Sequence, residues 1–370
     1  MAKVLVVDDS ALMRRLITGV LNEAGHDTRT ANNGTEAVET LVEWQPDVVT
    51  LDINMPRMDG LTALSLIMAA RPTPVIMVSS LTEEGALATL EALALGAVDF
   101  ITKPGGTISL SIDDIAQQLL SKVRAALRAH PKTRHTPAEP VRHPTPARPG
   151  PAVRPSAPSA AHSAGRHELS LVVVGVSTGG PRTLEDILPA LPADFPCAVL
   201  VAQHMPPNFT DAFARRMDRL CAMPVTEVNT PRPLEPGHVY IGQGGTDMIV
   251  MERLGRLVAA PKPETPGHPW HPSVDVLVNS AMRHLPPSQI TGVQLTGMGD
   301  DGAKAMTELK RRGGRTIAEA ESTAVVFGMP QELIEAGGAS VVLPCHQIAR
   351  QLLGWLHRKE RTRDGIAKSH

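Results

Sequence analysis

The run Leu169-Ser-Leu-Val-Val-Val-Gly-Val-Ser177-Thr-Gly-Gly-Pro181 changes character within thirteen residues. Leu171 to Val174 is apolar and rich in β-branched residues, which predicts a buried parallel strand. The strand is expected to end at Gly175. Pro181 suits the first turn of a helix, where its missing N–H is not needed. Ser177 therefore sits in a glycine-rich turn from strand to helix, at the sheet end where open α/β folds build their sites. The helix N-terminus offers free N–H groups to a developing oxyanion. Taken alone, the turn has three readings. It fits the G-x-S-x-G elbow of a nucleophilic serine, a degenerate dinucleotide loop with Ser177 replacing the middle glycine, and a serine that only caps its helix.

The wider chain narrows these readings. At 370 residues it is long enough for two full-sized domains. Aromatic residues make up 2%, too few for stacking on nucleic-acid bases. Residues 1–128 carry 10 Lys+Arg against 16 Asp+Glu, residues 129–168 carry 6 against 2, and the remainder 20 against 20. Neither flank has the basic excess of a nucleic-acid-binding domain. Cys197, Cys221 and Cys345 form no CxxC pair, so reduced thiols are expected. No secretory signal and no run of membrane-spanning length is present, and a cytoplasmic protein without membrane insertion is expected.

In the first 125 residues, Val4–Val7, Asp47–Leu51, Pro74–Val78 and Phe100–Thr102 read as strands, with an amphipathic helix over Ser10–Ala24. Alternating strands and helices imply a parallel sheet covered on both faces. Asp8, Asp9, Asp52, Ser79 and Lys103 all fall at the same end of their strands, where they converge. Three carboxylates repel one another, and a hard divalent cation such as Mg2+ relieves that while leaving positions for a phosphoryl group. Asp52 is then the natural phosphoacceptor, with Lys103 and the Ser79 hydroxyl able to hold phosphate oxygens.

Residues 130–165 are dominated by Pro, Ala, His and Arg, a composition that buries no core and favours extended chain. Their histidines lack the spacing of metal ligands. Beyond them, Pro181–Leu191, Asn208–Arg219 and Ser273–His284 read as helices, and a further helix is expected from about Ala303. Cys197–Ala202 and Ile290–Leu295 read as strands. His204 follows the first of these strands, and Asp300-Asp301 follow the second. A serine, a histidine and a carboxylate after three strands of one sheet can assemble a triad: Ser177 attacks, His204 takes its proton, an aspartate orients the ring. The order Ser, His, Asp differs from the Ser, Asp, His of α/β-hydrolases. For that alternative His346 would be the base, and it sits at what reads as a helix start. The chemistry alone does not separate Asp300 from Asp301.

Two families are similar to this sequence. Val-Asp8-Asp9-Ser, Asp52-Ile-Asn-Met-Pro-Arg-Met-Asp-Gly60, Val-Ser79-Ser80 and Thr-Lys103-Pro104 resemble the receiver domain of two-component response regulators. The resemblance implies phosphorylation of Asp52 by a histidine kinase, Mg2+ held by Asp9, Asp52 and the Asn54 carbonyl, and Phe100 as an aromatic switch residue. Gly-Val-Ser177-Thr-Gly-Gly-Pro, Gln-His204-Met-Pro, Pro-Ser273-Val-Asp275, Leu-Thr-Gly-Met298-Gly-Asp-Asp301-Gly and Val-Phe-Gly328-Met-Pro resemble the CheB family of chemotaxis protein-glutamate methylesterases. That places the triad aspartate at Asp301 and the backbone oxyanion contacts at Thr178 and Met298. Tyr240-Ile-Gly-Gln243-Gly-Gly-Thr-Asp247-Met departs from the family's Tyr-Ile-Ala-Pro-Gly-Gly-x-His-Met, which bears on substrate fit or loop stiffness rather than on reaction class.

Together these imply two doubly wound parallel-sheet α/β domains. A flavodoxin-like receiver occupies residues 1–125, a flexible linker 126–168, a Rossmann-like serine hydrolase 169–358, and a tail 359–370. The implied activity is phosphorylation-controlled demethylation of glutamate methyl esters on methyl-accepting chemotaxis receptors, with deamidation of receptor glutamines. No cofactor is expected for the esterase step, and the protein is expected to be a monomer. Two other readings stay open: an esterase of this fold acting outside chemotaxis, and a response regulator whose second domain only binds a partner.

Overall fold

A computed structural model describes residues 1–103, 112–129 and 169–355. Pro104, the tail 359–370 and the linker beyond residue 129 lie outside the described residues.

The first domain alternates strand and helix throughout: β1 (Lys3–Val7), α1 (Ala11–Glu23), β2 (Asp27–Ala31), α2 (Gly34–Trp44), β3 (Val48–Asp52), α3 (Gly60–Ala70), β4 (Val75–Ser79), α4 (Glu83–Leu95), β5 (Asp99–Thr102) and α5 (Ile112–Arg128). The strands form one parallel sheet in the order β2-β1-β3-β4-β5. Each of the first four helices starts on a side chain that accepts a backbone N–H: Ser10, Asn33, Asp59 and Thr82. The sheet order reverses between β1 and β3, which brings the ends carrying Asp8 and Asp52 side by side. One strand escapes the sequence reading. β2, Asp-Thr-Arg-Thr-Ala, is a mostly polar edge strand with only Ala31 buried, so it carries no apolar run. Helix α5 runs three residues past residue 125, to Arg128. Leu119, Val123 and Ala126 are buried at helical spacing within it, and Ala129 is buried just after its end.

The second domain contains β6 (Ser170–Val176), α6 (Gly180–Ile187), β7 (Cys197–Gln203), α7 (Pro207–Leu220), β8 (Val225–Val228), β9 (Arg232–Pro233), β10 (His238–Gly242), β11 (Asp247–Arg253), β12 (Arg256–Lys262), α8 (Val274–His284), β13 (Ile290–Gln294), α9 (Ala303–Arg311), β14 (Arg315–Glu319), α10 (Met329–Glu335) and β15 (Val341–Leu343). Residues 345–355 are helical, with His346 in the first turn. Seven strands make a parallel sheet in the order β15-β14-β13-β6-β7-β10-β8. Its order reverses at β6, so the ends of β13, β6 and β7 are neighbours. The sequence reading named β6, β7 and β13 of this sheet but not β8, β10, β14 or β15, nor helix α10, and it differs at further points. β6 runs through Gly175 to Val176, because a Cβ at Gly175 would lie 2.6 Å from the Val274 side chain and its absence lets α8 pack closely. α6 stops at Ile187 and passes into a 3-10 turn, because Pro189 has no N–H to continue the helix. β9, β11 and β12 form a small antiparallel sheet that the parallel reading did not contain. Among the described residues, no helix is long and apolar enough to cross a membrane.

Candidate active site and phosphoacceptor pocket

Ser177 is the first residue after β6. Its N–H donates to Thr296 O at 2.9 Å and its carbonyl accepts from Gly180 N at 2.8 Å. Gly179 completes the turn at φ +79°, a conformation that favours glycine. His204 follows β7 directly, its N–H bonded to Val176 O at 3.0 Å. Gln203 ties the two turns together, Nε2 donating to the carbonyls of Ser177 (3.0 Å) and His204 (3.1 Å). Ser177, Thr178, His204 and Met298 line one cleft of about 340 Å³.

The His204 ring is nearly buried, and its Nε2 lies 2.8 Å from Asp301 Oδ2. A carboxylate partner places the proton on Nε2 and leaves the lone pair on Nδ1. Nδ1 is buried with no hydrogen-bond partner among the described residues. Asp301 also accepts from Ser273 Oγ (2.9 Å), Val274 N (2.7 Å) and Asp275 N (3.1 Å), all at the start of α8. Burial alone would push the Asp301 carboxyl up. The bonds from His204 and from the α8 N-terminus outweigh it and hold the group below its ordinary value. Asp300 is exposed on the other side of the turn. Among the described residues, the backbone N–H groups of Thr178 and Met298 have no acceptor, which leaves them available to an oxyanion.

In the first domain, Asp8 and Asp52 are buried and Asp9 is exposed, each offering a carboxylate oxygen within 4.8 Å of the others. Lys103 Nζ lies 2.8 Å from Asp52 and 3.1 Å from Asp8. Burial pushes the Asp52 carboxyl up and the Asp8 charge adds to this, against the pull of Lys103. Burial would lower Lys103, but its two carboxylate partners reverse the sign and keep it an ammonium. An all-oxygen cluster with excess negative charge fits a hard divalent cation. Asn54 is exposed beside it, its N–H 3.4 Å from Asp52 Oδ1. Ser79 is placed differently from the expectation that it faces a phosphoryl group. It is fully buried, donates to Gly85 O (3.1 Å) and accepts from Thr89 Oγ1 (2.8 Å), so its hydroxyl is turned into α4.

The two domains meet over the cleft. Phe100 packs on Phe209 with ring centroids 4.5 Å apart. Asp99 Oδ2 accepts from Thr178 Oγ1 at 2.5 Å, while Asp99 Oδ1 pairs with Lys122 Nζ at 2.7 Å. Gln118, Ser121 and Lys122 of α5 form part of the cleft wall beside Ser177. At the α4 edge, Arg215 pairs with Glu83 (2.8 Å) and Asn208 Nδ2 donates to Leu81 O (3.1 Å). Sequence reasoning missed Asp99, and it gave no role to Gln203 or Ser273 although both stand in the motifs it quoted. A buried-strand run closing in a polar residue, as in Cys197–Gln203, was the one available signal for Gln203.

Comparison with known proteins agrees with both halves. The family described as CheB methylesterase matches residues 172–352, and the response regulator receiver domain matches residues 4–111. A protein of Rhodospirillum rubrum named protein-glutamate methylesterase/protein-glutamine glutaminase 3 is 52% identical over 370 residues, all of both chains. A protein-glutamate methylesterase/protein-glutamine glutaminase of Caldanaerobacter subterraneus is 46% identical, covering 97% of this chain and 98% of its own. The crystal structure of the Thermotoga maritima CheB methylesterase catalytic domain is 38% identical, with a TM-score of 0.49, over 50% of this chain and 98% of that one. With more than half its residues shared along the whole length of such a relative, the chain belongs to the CheB methylesterase family.

Proposed function

We propose that this protein is a receiver-controlled protein-glutamate methylesterase and protein-glutamine glutaminase acting on chemotaxis receptors. The observation that carries the reading is that Ser177 and His204 line one cleft walled in part by the receiver, with Asp301 bonded behind the His204 ring. Ser177 Oγ attacks the ester carbonyl and gives its proton to His204 Nδ1, since Nε2 is committed to Asp301. The oxyanion is met by the N–H groups of Thr178 and Met298. The imidazolium then protonates the leaving oxygen, methanol departs, and water hydrolyses the acyl-enzyme by the same route. A glutamine side chain follows the same path with ammonia as leaving group. Methanol release from methylated receptor membranes tests the reading. Absence of release, with Ser177 still labelled by a serine-reactive probe, would assign the triad to another ester.

Asp52 is the proposed phosphoacceptor, taking the phosphoryl group from a histidine kinase. Asp8, Asp9, Asp52 and the Asn54 carbonyl would hold Mg2+, which when bound neutralises the phosphoryl oxygens. Millimolar Mg2+ is expected to raise the melting temperature of the wild type by mass action. Asp9→Asn should remove that shift, because it deletes the exposed ligand without touching the buried pair. Asp52→Asn should eliminate labelling by a small phosphodonor and leave methanol release at the basal level. Persistent labelling of Asp52→Asn would point to another acceptor.

The receiver controls access by covering the cleft. A phosphoryl group on Asp52 that draws the Ser79 hydroxyl toward itself must break the Ser79 bonds to Gly85 and Thr89, which loosens α4 where it contacts Asn208 and Arg215. Asp99→Ala cuts the tie to Thr178. A buried charged hydrogen bond is worth about 1.5–3 kcal/mol, so basal methanol release is expected to rise by roughly one to two orders of magnitude. Deleting residues 1–165 should raise it further and abolish the response to phosphodonor. A truncated domain no faster than the unphosphorylated chain would rule out occlusion.

A further inference from the structure

One buried charge beside the cleft has no part in this mechanism. Asp247, at the start of β11, is fully buried. Its carboxylate accepts from Thr265 N, His271 Nδ1 and Ser273 N, each at 2.9 Å. Burial pushes this carboxyl up, yet the three donors hold it below its ordinary value, so it is an anion matched to its partners. Those donors sit at the two ends of the loop 265–273, and one carboxylate therefore clasps the loop shut. Within the loop, half-buried Trp270 lies face to face with His204, ring centroids 5.3 Å apart and planes within 10°.

We propose that Asp247 and Trp270 are positioning residues for His204: Asp247 clasps the loop, and the indole face of Trp270 holds the imidazole plane with Nδ1 toward Ser177. The inference rests on the Ser177–His204 reading above. Among the described residues the imidazole has one hydrogen-bond anchor, Asp301 on Nε2. A single bond leaves the ring free to tilt about that contact, whereas a parallel aromatic face opposes the tilt. When Ser177 passes its proton to Nδ1 the ring becomes a cation, and the π face of an indole stabilises a cation stacked on it. The clasp also reaches the acid of the triad, because Ser273 bonds both Asp247 and Asp301. Asp247 stands where the family pattern read in the sequence has histidine.

The test uses the full chain with phosphodonor and Mg2+, and two readouts: the rate at which a small fluorophosphonate labels Ser177, and kcat and KM for methanol release. Trp270→Leu keeps apolar bulk but removes the π face. It is expected to lower both the labelling rate and kcat roughly 10-fold, with KM little changed. Trp270→Phe should recover most of the loss. Asp247→Asn puts an amide donor against three donors, opens the clasp and should lower both rates to a similar degree. If Asp247 acts through Trp270, the double variant is no slower than the slower single variant. A Trp270→Leu protein with normal labelling and only a raised KM would make Trp270 a wall of the substrate cleft and overturn the proposal. Additive losses in the double variant would overturn the clasp. Should Asp247→Asn fail to fold, the Trp270→Leu and Trp270→Phe pair decides. A wild type that is labelled but releases no methanol would defeat the substrate reading, and the labelling series would still decide this one.

Discussion

Ser177→Ala is expected to lower methanol release by a factor on the order of 10^4 or more while leaving the protein folded. The substitution deletes one hydroxyl from a side chain that is only partly buried. The hydrogen bonds that hold the turn run from the Ser177 N–H to Thr296 and from Gly180 N and Gln203 Nε2 to the Ser177 carbonyl. All use the backbone of residue 177, and alanine keeps them. The loss is therefore one of chemistry: without Oγ there is no acyl-enzyme, and the oxyanion donors can only assist direct attack by water. Fluorophosphonate labelling should vanish with the activity, and the melting temperature should stay within a few degrees of wild type. Release by Ser177→Ala within tenfold of the wild-type rate would remove Ser177 from the mechanism.

Asp301→Asn should cost almost as much, on the order of 10^4 in kcat, with the fold again retained. The carboxylate serves four donors: His204 Nε2, Ser273 Oγ, Val274 N and Asp275 N. An amide has only one acceptor atom for them. If its oxygen faces the α8 N-terminus, its NH2 donates to His204, and Nε2 must present its lone pair to that NH2. The proton then moves to Nδ1, where the base is needed, and the acceptor for the Ser177 proton is gone. Asp300→Asn, on an exposed side chain, should stay within about threefold of wild type, as expected for a surface change remote from the reacting atoms. Equal losses at the two positions would mean the imidazole is not oriented by Asp301. A pH series adds a sign. The folded-state pKa of Asp301 is depressed, so its contribution to stability is present above the unfolded value and lost as pH falls through the folded one. The stability difference between wild type and Asp301→Asn should therefore narrow below about pH 4. A difference that widens in acid would contradict the depressed carboxyl.

The sequence alone determined the strand and helix succession that matters for chemistry. Buried parallel strands need apolar β-branched runs, and such runs at Val4–Val7, Leu171–Val174 and Cys197–Ala202 are local, unambiguous signals. Because parallel strands share one direction, the polar residues that end them had to converge, and Asp8, Asp52, Ser177, His204 and Asp301 were legible as clusters before any coordinates. Signals without burial were lost. β2 turns most of its polar side chains outward, and in the antiparallel β9–β11–β12 sheet β9 has only two exposed residues while β11 and β12 mix buried and exposed positions. Chemistry along the chain left Asp300 and Asp301 equivalent and only the family resemblance chose Asp301; the tertiary structure supplies the physical reason, Asp301 Oδ2 lying 2.8 Å from His204 Nε2 while Asp300 is exposed. Only the tertiary structure decided the contacts of Asp99 on Thr178 and of Asp247 with His271 and Trp270 over His204. These contacts join side chains far apart in the chain or in different domains. A hydrogen bond of that kind is set by the packing of whole elements, and neither periodicity nor spacing along the sequence encodes it.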